Sequence, residues 1–141
     1  MPHKVYLWAD PISDGLVTSF VYHTTICIEF DNGIKYLFSY NDKGLNTSPA
    51  GKQKPEKIHY LGETEKSLPE VIQYAYELQS TKYCSYDVLT RNCNHFCNDL
   101  SLWLCGEIIP GQYIMQSMLV ATNPVLLVGC LAFQSGSSKS S

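Results

Sequence analysis

Apolar residues come in short, partly alternating runs from Val5 to Leu61, and from Leu68 onward they recur every third or fourth position. The first regime predicts strands, because side chains on a strand point alternately to its two faces; the second predicts helices. Val5-Tyr6-Leu7-Trp8 reads as a short strand, followed by a turn-rich loop from Asp10-Pro11 to Gly15. Val21 to Phe30 is the clearest strand, with Ile26, Ile28 and Phe30 on one face and Thr25, Cys27 and Glu29 on the other. Asp31-Asn32-Gly33 is a tight-turn signal, and Ile34 to Phe38 returns as the second arm of a hairpin. Residues 41–57, rich in Asn, Lys, Gly, Pro and Ser, predict a polar loop, and Ile58-His59-Tyr60-Leu61 a further strand.

The helices announce their ends. Ser67 and Glu70 form a capping-box pattern, and Pro69 falls in the first turn, where a missing N–H costs little. Leu68, Val71, Ile72, Ala75 and Leu78 then mark one apolar face. Tyr83 to Leu89 is aromatic and β-branched enough to predict extended chain. It leads to Asn92, a favoured N-cap, after which Cys93, Phe96, Cys97, Leu100 and Leu104 share a helix face. Gly106 is the expected stop, with Pro110 beyond it. Ile114 to Phe133 is apolar on average but interrupted by Gln116, Ser117, Thr122, Asn123 and Pro124, which predicts a surface helix and then a loosely attached apolar tail. Its longest clean run, Val125 to Phe133, is about half of the ~20 residues a spanning helix needs, so a membrane role is not expected. Gln134 to Ser141 is Ser-rich and expected to be disordered. Strands grouped early and helices late predict an α+β domain.

Composition narrows the function classes. A chain of 141 residues is long enough for one domain with a real core, and a net charge of -3 leaves no basic footprint for nucleic acid. Met1-Pro2-His3-Lys4 has neither the charged start nor the apolar stretch of a signal peptide, so a cytoplasmic or nuclear location is expected and the six cysteines are read as thiols.

That puts weight on Cys93. In the first turn of a helix, unpaired N–H groups and the helix dipole favour negative charge, which lowers a thiol pKa and makes a nucleophile of it. A base must serve it. His3 is terminal, His59 lies in a short strand with nothing to recommend it, and His95 is two residues past Cys93 and so points to another helix face. His23 opens the strongest strand, where rigid scaffold meets loop. By spacing alone, a strand histidine and a buried cysteine are more often structural than catalytic.

Six blocks tip that balance: Tyr22-His23-Thr24, Phe38-Ser39-Tyr40, Leu61-Gly62-Glu63-Thr64, Tyr86-Asp87-Val88-Leu89, Arg91-Asn92-Cys93-Asn94-His95-Phe96 and Gly106-Glu107-Ile108-Ile109-Pro110. Together they resemble the PPPDE peptidases, also called the desumoylating isopeptidase family, over about Val5 to Ile114. The resemblance implies a circularly permuted papain-like α+β fold, with a peptidase domain over residues 1–121 and an apolar, then Ser-rich, tail over 122–141. It implies a thiol isopeptidase that removes SUMO or ubiquitin from lysines, or a thioesterase acting on S-acyl proteins. His23 matches the family's catalytic histidine and Cys93 its nucleophile, with no third member assigned and no cofactor. Asn92 and the N–H groups of the helix start are the expected oxyanion support. SUMO- or ubiquitin-conjugated proteins are the implied partners, and a homodimer is implied as well.

Cys97, the apolar Leu102-Trp103-Leu104-Cys105 and the loop at 41–57 depart from the family's pattern. Two other readings stay open: a structural zinc module on Cys93, His95, Cys97 and Cys105, whose spacing is poor for a closed four-ligand site, and an inactive fold that only binds ubiquitin-like proteins.

Overall fold

The computed structural model describes residues 2–12, 21–87 and 89–122. Five strands form one antiparallel sheet: β1 (His3–Pro11), β2 (Tyr22–Glu29), β3 (Lys35–Asn41), β4 (Gly44–Pro49) and β5 (Lys57–Thr64), in the spatial order β4-β3-β2-β1-β5. Four helices follow: α1 (Leu68–Thr81), α2 (Cys93–Cys105), α3 (Gly111–Ile114) and α4 (Gln116–Ala121). The architecture is α+β, strands first and helices after.

The strand expected to be strongest occupies the centre of the sheet. Ile26 and Ile28 turn one face of β2 toward the main core, joined by Val5, Leu7 and Ala9 of β1 and Phe38 and Tyr40 of β3. The predicted helix faces close over it: Val71, Ala75 and Leu78 from α1, and Phe96, Cys97, Leu100 and Leu104 from α2 are all buried there. The opposite face is not left to solvent. Trp8, Cys27, Leu37 and Ala50 form a second cluster beneath the chain that follows β4, which is why Cys27 is buried although alternation put it opposite the core.

The caps are those the sequence announces. Ser67 and Glu70 exchange hydrogen bonds at the start of α1. Gly106 ends α2 at φ 73°, a left-handed conformation that costs a residue with Cβ far more. In the β2–β3 hairpin, Gly33 does the same at φ 79°, between bonds from Phe30 N to Ile34 O and Gly33 N to Phe30 O.

Two expectations need correction. The polar loop at 41–57 contains β4, paired from Tyr36↔Pro49 to Asn41↔Gly44. It is an edge strand whose residues are half-buried or exposed, held by backbone pairing to β3, so it carries no apolar alternation and tolerates Pro49 at its end. The second is the stretch from Tyr83 to Leu89, whose described residues, 83–87 and Leu89, do not form a strand. Asp87 Oδ1 accepts the N–H groups of Leu89 and Thr90 at 2.9 and 3.0 Å, and Arg91 Nε donates to Ser85 O at 2.9 Å, closing a compact loop. The aromatic bias that suggested a strand belongs to packing: the rings of Tyr40, Tyr83, Tyr86 and Phe96 cluster at centroid distances of 5.1 to 5.7 Å. The apolar segment from Ile114 is helical through α4, with Val120 packed on Val21. The rest of it, and the Ser-rich end, lie outside the described residues. Among the described residues no helix is long and apolar enough to cross a membrane.

Candidate active site

Three elements converge on Cys93. The first is α2 itself. Asn92 stands in extended conformation as its N-cap, and its Oδ1 accepts from Asn94 N at 2.9 Å and His95 N at 3.2 Å. His95 answers with Nδ1, which accepts the Asn92 N–H at 3.2 Å. The histidine that spacing left without a task is therefore half of a reciprocal cap, a pattern masked in the sequence because Glu or Gln is the usual partner at this position. Asn92 is thus committed to the helix. With two of the first-turn N–H groups taken by its side chain, the Cys93 N–H is the one left without a protein acceptor among the described residues.

The second element is β2. His23 lies one residue inside the start of this central strand, half-buried, with Asp10 of β1 opposite it in the antiparallel register. Its ring lies close enough to the Cys93 sulfur for the two charges to act strongly on each other. Thr24, fully buried next to it, donates from Oγ1 to Asn94 Oδ1 at 2.6 Å, which ties β2 to the first turn of α2. The third element is α4, where the Gln116 side chain bonds both the N–H and the carbonyl of Tyr22.

Electrostatics couple the pair. Burial opposes the charged form of Cys93, but the facing His23 charge, with polar support from His23 and the Thr24 backbone, outweighs that and holds the thiol below its ordinary range. Burial likewise opposes a charged His23, and the Cys93 charge and hydrogen bond, with the Asp10 carboxylate adding, raise it above the ordinary imidazole range. Both shifts favour the thiolate–imidazolium form of the pair. The other buried cysteines go the opposite way: burial pushes Cys27 up to about 11, and burial together with the Cys93 charge pushes Cys97 well above the thiol range. His95, three residues past the N-cap Asn92, is lowered by burial, which suits its role as an acceptor.

Cys93 opens onto a crevice of about 20 Å³. Val21 and Tyr22 form one wall, Asn92 and Tyr86 another, and Gln116 and Val120 of α4 the third. A space of this size holds little more than one water. The expected participants His23, Cys93 and Asn92 are thus brought together, Asn92 as a cap. The missed ones are Thr24, Asn94 and Gln116. Asn94 sits beside Cys93 in the sequence and Thr24 beside His23, but only the docking of helix on strand pairs them. Among the described residues no group of three or more His, Cys, Asp or Glu side chains is arranged to hold a metal ion. The spacing argument against a zinc module has its structural counterpart in Cys105, which bonds Ser101 O at the far end of α2.

A family model described as "PPPDE putative peptidase domain" matches residues 4–128. Desumoylating isopeptidase 1 of Xenopus laevis is 28% identical over 131 residues, covering 82% of this chain and 74% of that protein. Desumoylating isopeptidase 1 of Homo sapiens is 26% identical over 105 residues, covering 71% of this chain and 60% of that protein.

Proposed function

The chain belongs to the PPPDE peptidase family, and from that premise we propose that it is a cysteine isopeptidase that removes a ubiquitin-like modifier, SUMO first among them, from protein lysines. The names of the two relatives support the substrate class. The observation that carries the mechanism is the charge-coupled Cys93–His23 pair at the N-terminus of α2. His-before-Cys order in a papain-like pair is the reason for reading the fold as circularly permuted.

The chemistry follows from that pair. The Cys93 thiolate attacks the carbonyl carbon of the Gly–Lys isopeptide bond, and His23, holding the proton, delivers it to the departing lysine amine. Water, deprotonated by His23, then hydrolyses the acyl-enzyme. The tetrahedral oxyanion is received by the Cys93 N–H, the first-turn donor that has no acceptor among the described residues. The close walls around Cys93, from Val21, Tyr22, Tyr86, Asn92 and Gln116, suit the glycines of a modifier tail better than bulky groups at the sulfur. Main-chain hydrogen bonds would then hold the extended tail, and the folded modifier would supply selectivity by docking outside the crevice.

The runner-up reading is a thioesterase acting on S-acyl proteins through the same pair. Comparing kcat/KM for a modifier–lysine conjugate, a short tail-peptide amide and a small acyl thioester, with Cys93→Ser as control, tests both. The isopeptidase reading expects the full conjugate to win. A small thioester that wins by orders of magnitude overturns it, and labelling by none of the matching electrophilic probes leaves an inactive binding fold.

A further inference from the structure

One buried polar atom in the site has no partner. Asn94 is 2% exposed, and its Nδ2, shielded from water, meets no acceptor among the described residues. Its other end is crowded: Oδ1 accepts from Thr24 Oγ1 at 2.6 Å and from the Cys93 thiol at 3.7 Å. An orphaned buried N–H is rare and costly, and calls for a reason.

The reason lies in what happens when Cys93 ionises. This step rests on the reading of Cys93 as the nucleophile. Once the thiol proton passes to His23, the sulfur donates nothing, and a carbonyl oxygen facing a thiolate is a repulsive contact. A half-turn of the carboxamide puts Nδ2 where Oδ1 stood. One of its hydrogens then reaches the sulfur and the other Thr24 Oγ1, whose own hydrogen is freed to turn toward the sulfur. We propose that Asn94, braced by Thr24, is the dedicated thiolate donor of this site, and that its carboxamide rotates as Cys93 gives up its proton. No bond is made or broken beyond the S–H to imidazole transfer. The orphan left afterwards is a carbonyl oxygen, which tolerates burial better than an N–H.

The other groups facing the sulfur are consistent with this. On β2 they are His23 and Thr24, with Asp10 of β1 behind the histidine; on α2 the nearest titratable neighbours are Cys97, kept protonated by burial, and His95, occupied in the helix cap. None of them but Thr24 and Asn94 offers a neutral donor that a thiolate can use while His23 carries the proton.

The test is the pH profile of Cys93 alkylation by iodoacetamide in the full chain, which needs no substrate. Asn94→Asp keeps the acceptor for Thr24 and removes the donor. It should raise the apparent thiol midpoint by about one unit and cut the alkylation rate at pH 7 about tenfold. Thr24→Val, nearly constant in volume, should raise it in the same direction, and covers the case in which Asn94→Asp fails to fold. In the unsubstituted chain, the side-chain amide ¹⁵N and ¹H signals of Asn94 should move with the same midpoint as Cys93 ionisation. A brace with no electrostatic part would lower stability in both variants and leave the midpoint where it was; that result, or Asn94 signals that ignore the titration, overturns the proposal. An unsubstituted chain whose Cys93 titrates at the ~8.5 of a free thiol would instead bring down the nucleophile reading itself.

Discussion

Gln116 grips the backbone of Tyr22 from both sides: its Oε1 accepts the Tyr22 N–H at 2.9 Å and its Nε2 donates to the Tyr22 carbonyl at 2.8 Å. A side-chain amide here stands in for a neighbouring strand at the residue before His23. It also pins α4 as a wall of the crevice. Neither effect involves contact with Cys93, so Gln116 is a positioning residue.

Replacing Gln116 with Ala should release the start of β2 and let His23 wander. With two hydrogen bonds of about 1 kcal/mol each at stake, a fall in kcat of roughly tenfold is expected, with KM affected less. Gln116→Glu keeps the acceptor and loses the donor, and should fall between. Steady-state kinetics on a modifier conjugate decide this, alongside the alkylation profile of Cys93, which should broaden or shift only if His23 has moved. Unchanged kinetics in the Ala variant would show that the clamp does not position the histidine.

The coupled pair sets a pH window. Cys93 is lowered in the folded chain, so its ionised form contributes stability that is present above the ordinary thiol range and lost as pH falls through the lowered value. His23 is raised, so its contribution is complete below the ordinary imidazole range and lost as pH rises through the raised value. Activity should therefore rise and fall as a bell whose two limbs belong to the pair as a unit. In His23→Ala the alkaline limb should vanish and the acid limb should move up, with Cys93 titrating at or above a free thiol, because burial remains when its main counter-charge is gone. A profile in that variant like that of the unsubstituted chain would remove His23 from the mechanism.

Reactivity and exposure should part company among the cysteines. Cys84 is exposed, yet Cys93, 6% exposed, should be alkylated faster at pH 6 to 7 (the range of ~6–7 follows from an ordinary thiol midpoint near 8.5). Cys27 and Cys97 should stay inert until the protein unfolds, since burial raises both. Site-resolved mass spectrometry of a timed iodoacetamide reaction gives the order directly, and early labelling of Cys97 would contradict it.

The cap of α2 serves stability and chemistry at once. Asn92→Ala removes the acceptor of two N–H groups and should cost about 1 to 2 kcal/mol, measured by urea unfolding. His95→Ala breaks the return bond alone and should cost less. If Asn92→Ala unfolds like the parent but loses activity, its role is at the reacting carbon and not in the cap.

Tyr83 ties the aromatic cluster to α2, its hydroxyl donating to Asp99 Oδ2 at 2.6 Å while Lys82 Nζ reaches the same oxygen at 2.9 Å. Tyr83→Phe should lower stability by about 1 to 2 kcal/mol, seen as a drop in Tm, with kcat little changed because neither Tyr83 nor Asp99 lines the Cys93 crevice.

What the chain announced by itself was local. Ser67 with Glu70, Asn92, Gly33 and Gly106 mark element ends because capping and left-handed turns depend on a residue and its near neighbours. The faces of α1 and α2 and the central place of β2 followed from periodicity, which burial enforces along one element at a time. That Cys93 opens a helix and His23 lies at the start of a strand was legible from their settings, and the reading of them as nucleophile and base is the proposal built on those settings. Tertiary structure decided everything that needs two distant segments side by side. β4 has no signal of its own, since an edge strand is specified by the strand it pairs with. The residues from Tyr83 to Leu89 could not be told from a strand, because aromatic bias reports burial and not backbone direction. Thr24 with Asn94, Gln116 with Tyr22 and Asp10 with His23 are ordinary polar residues in sequence. They acquire their roles only when α2 and α4 dock against β2, because a hydrogen bond a few ångströms long cannot be specified by spacing along a chain that must fold back on itself to make it.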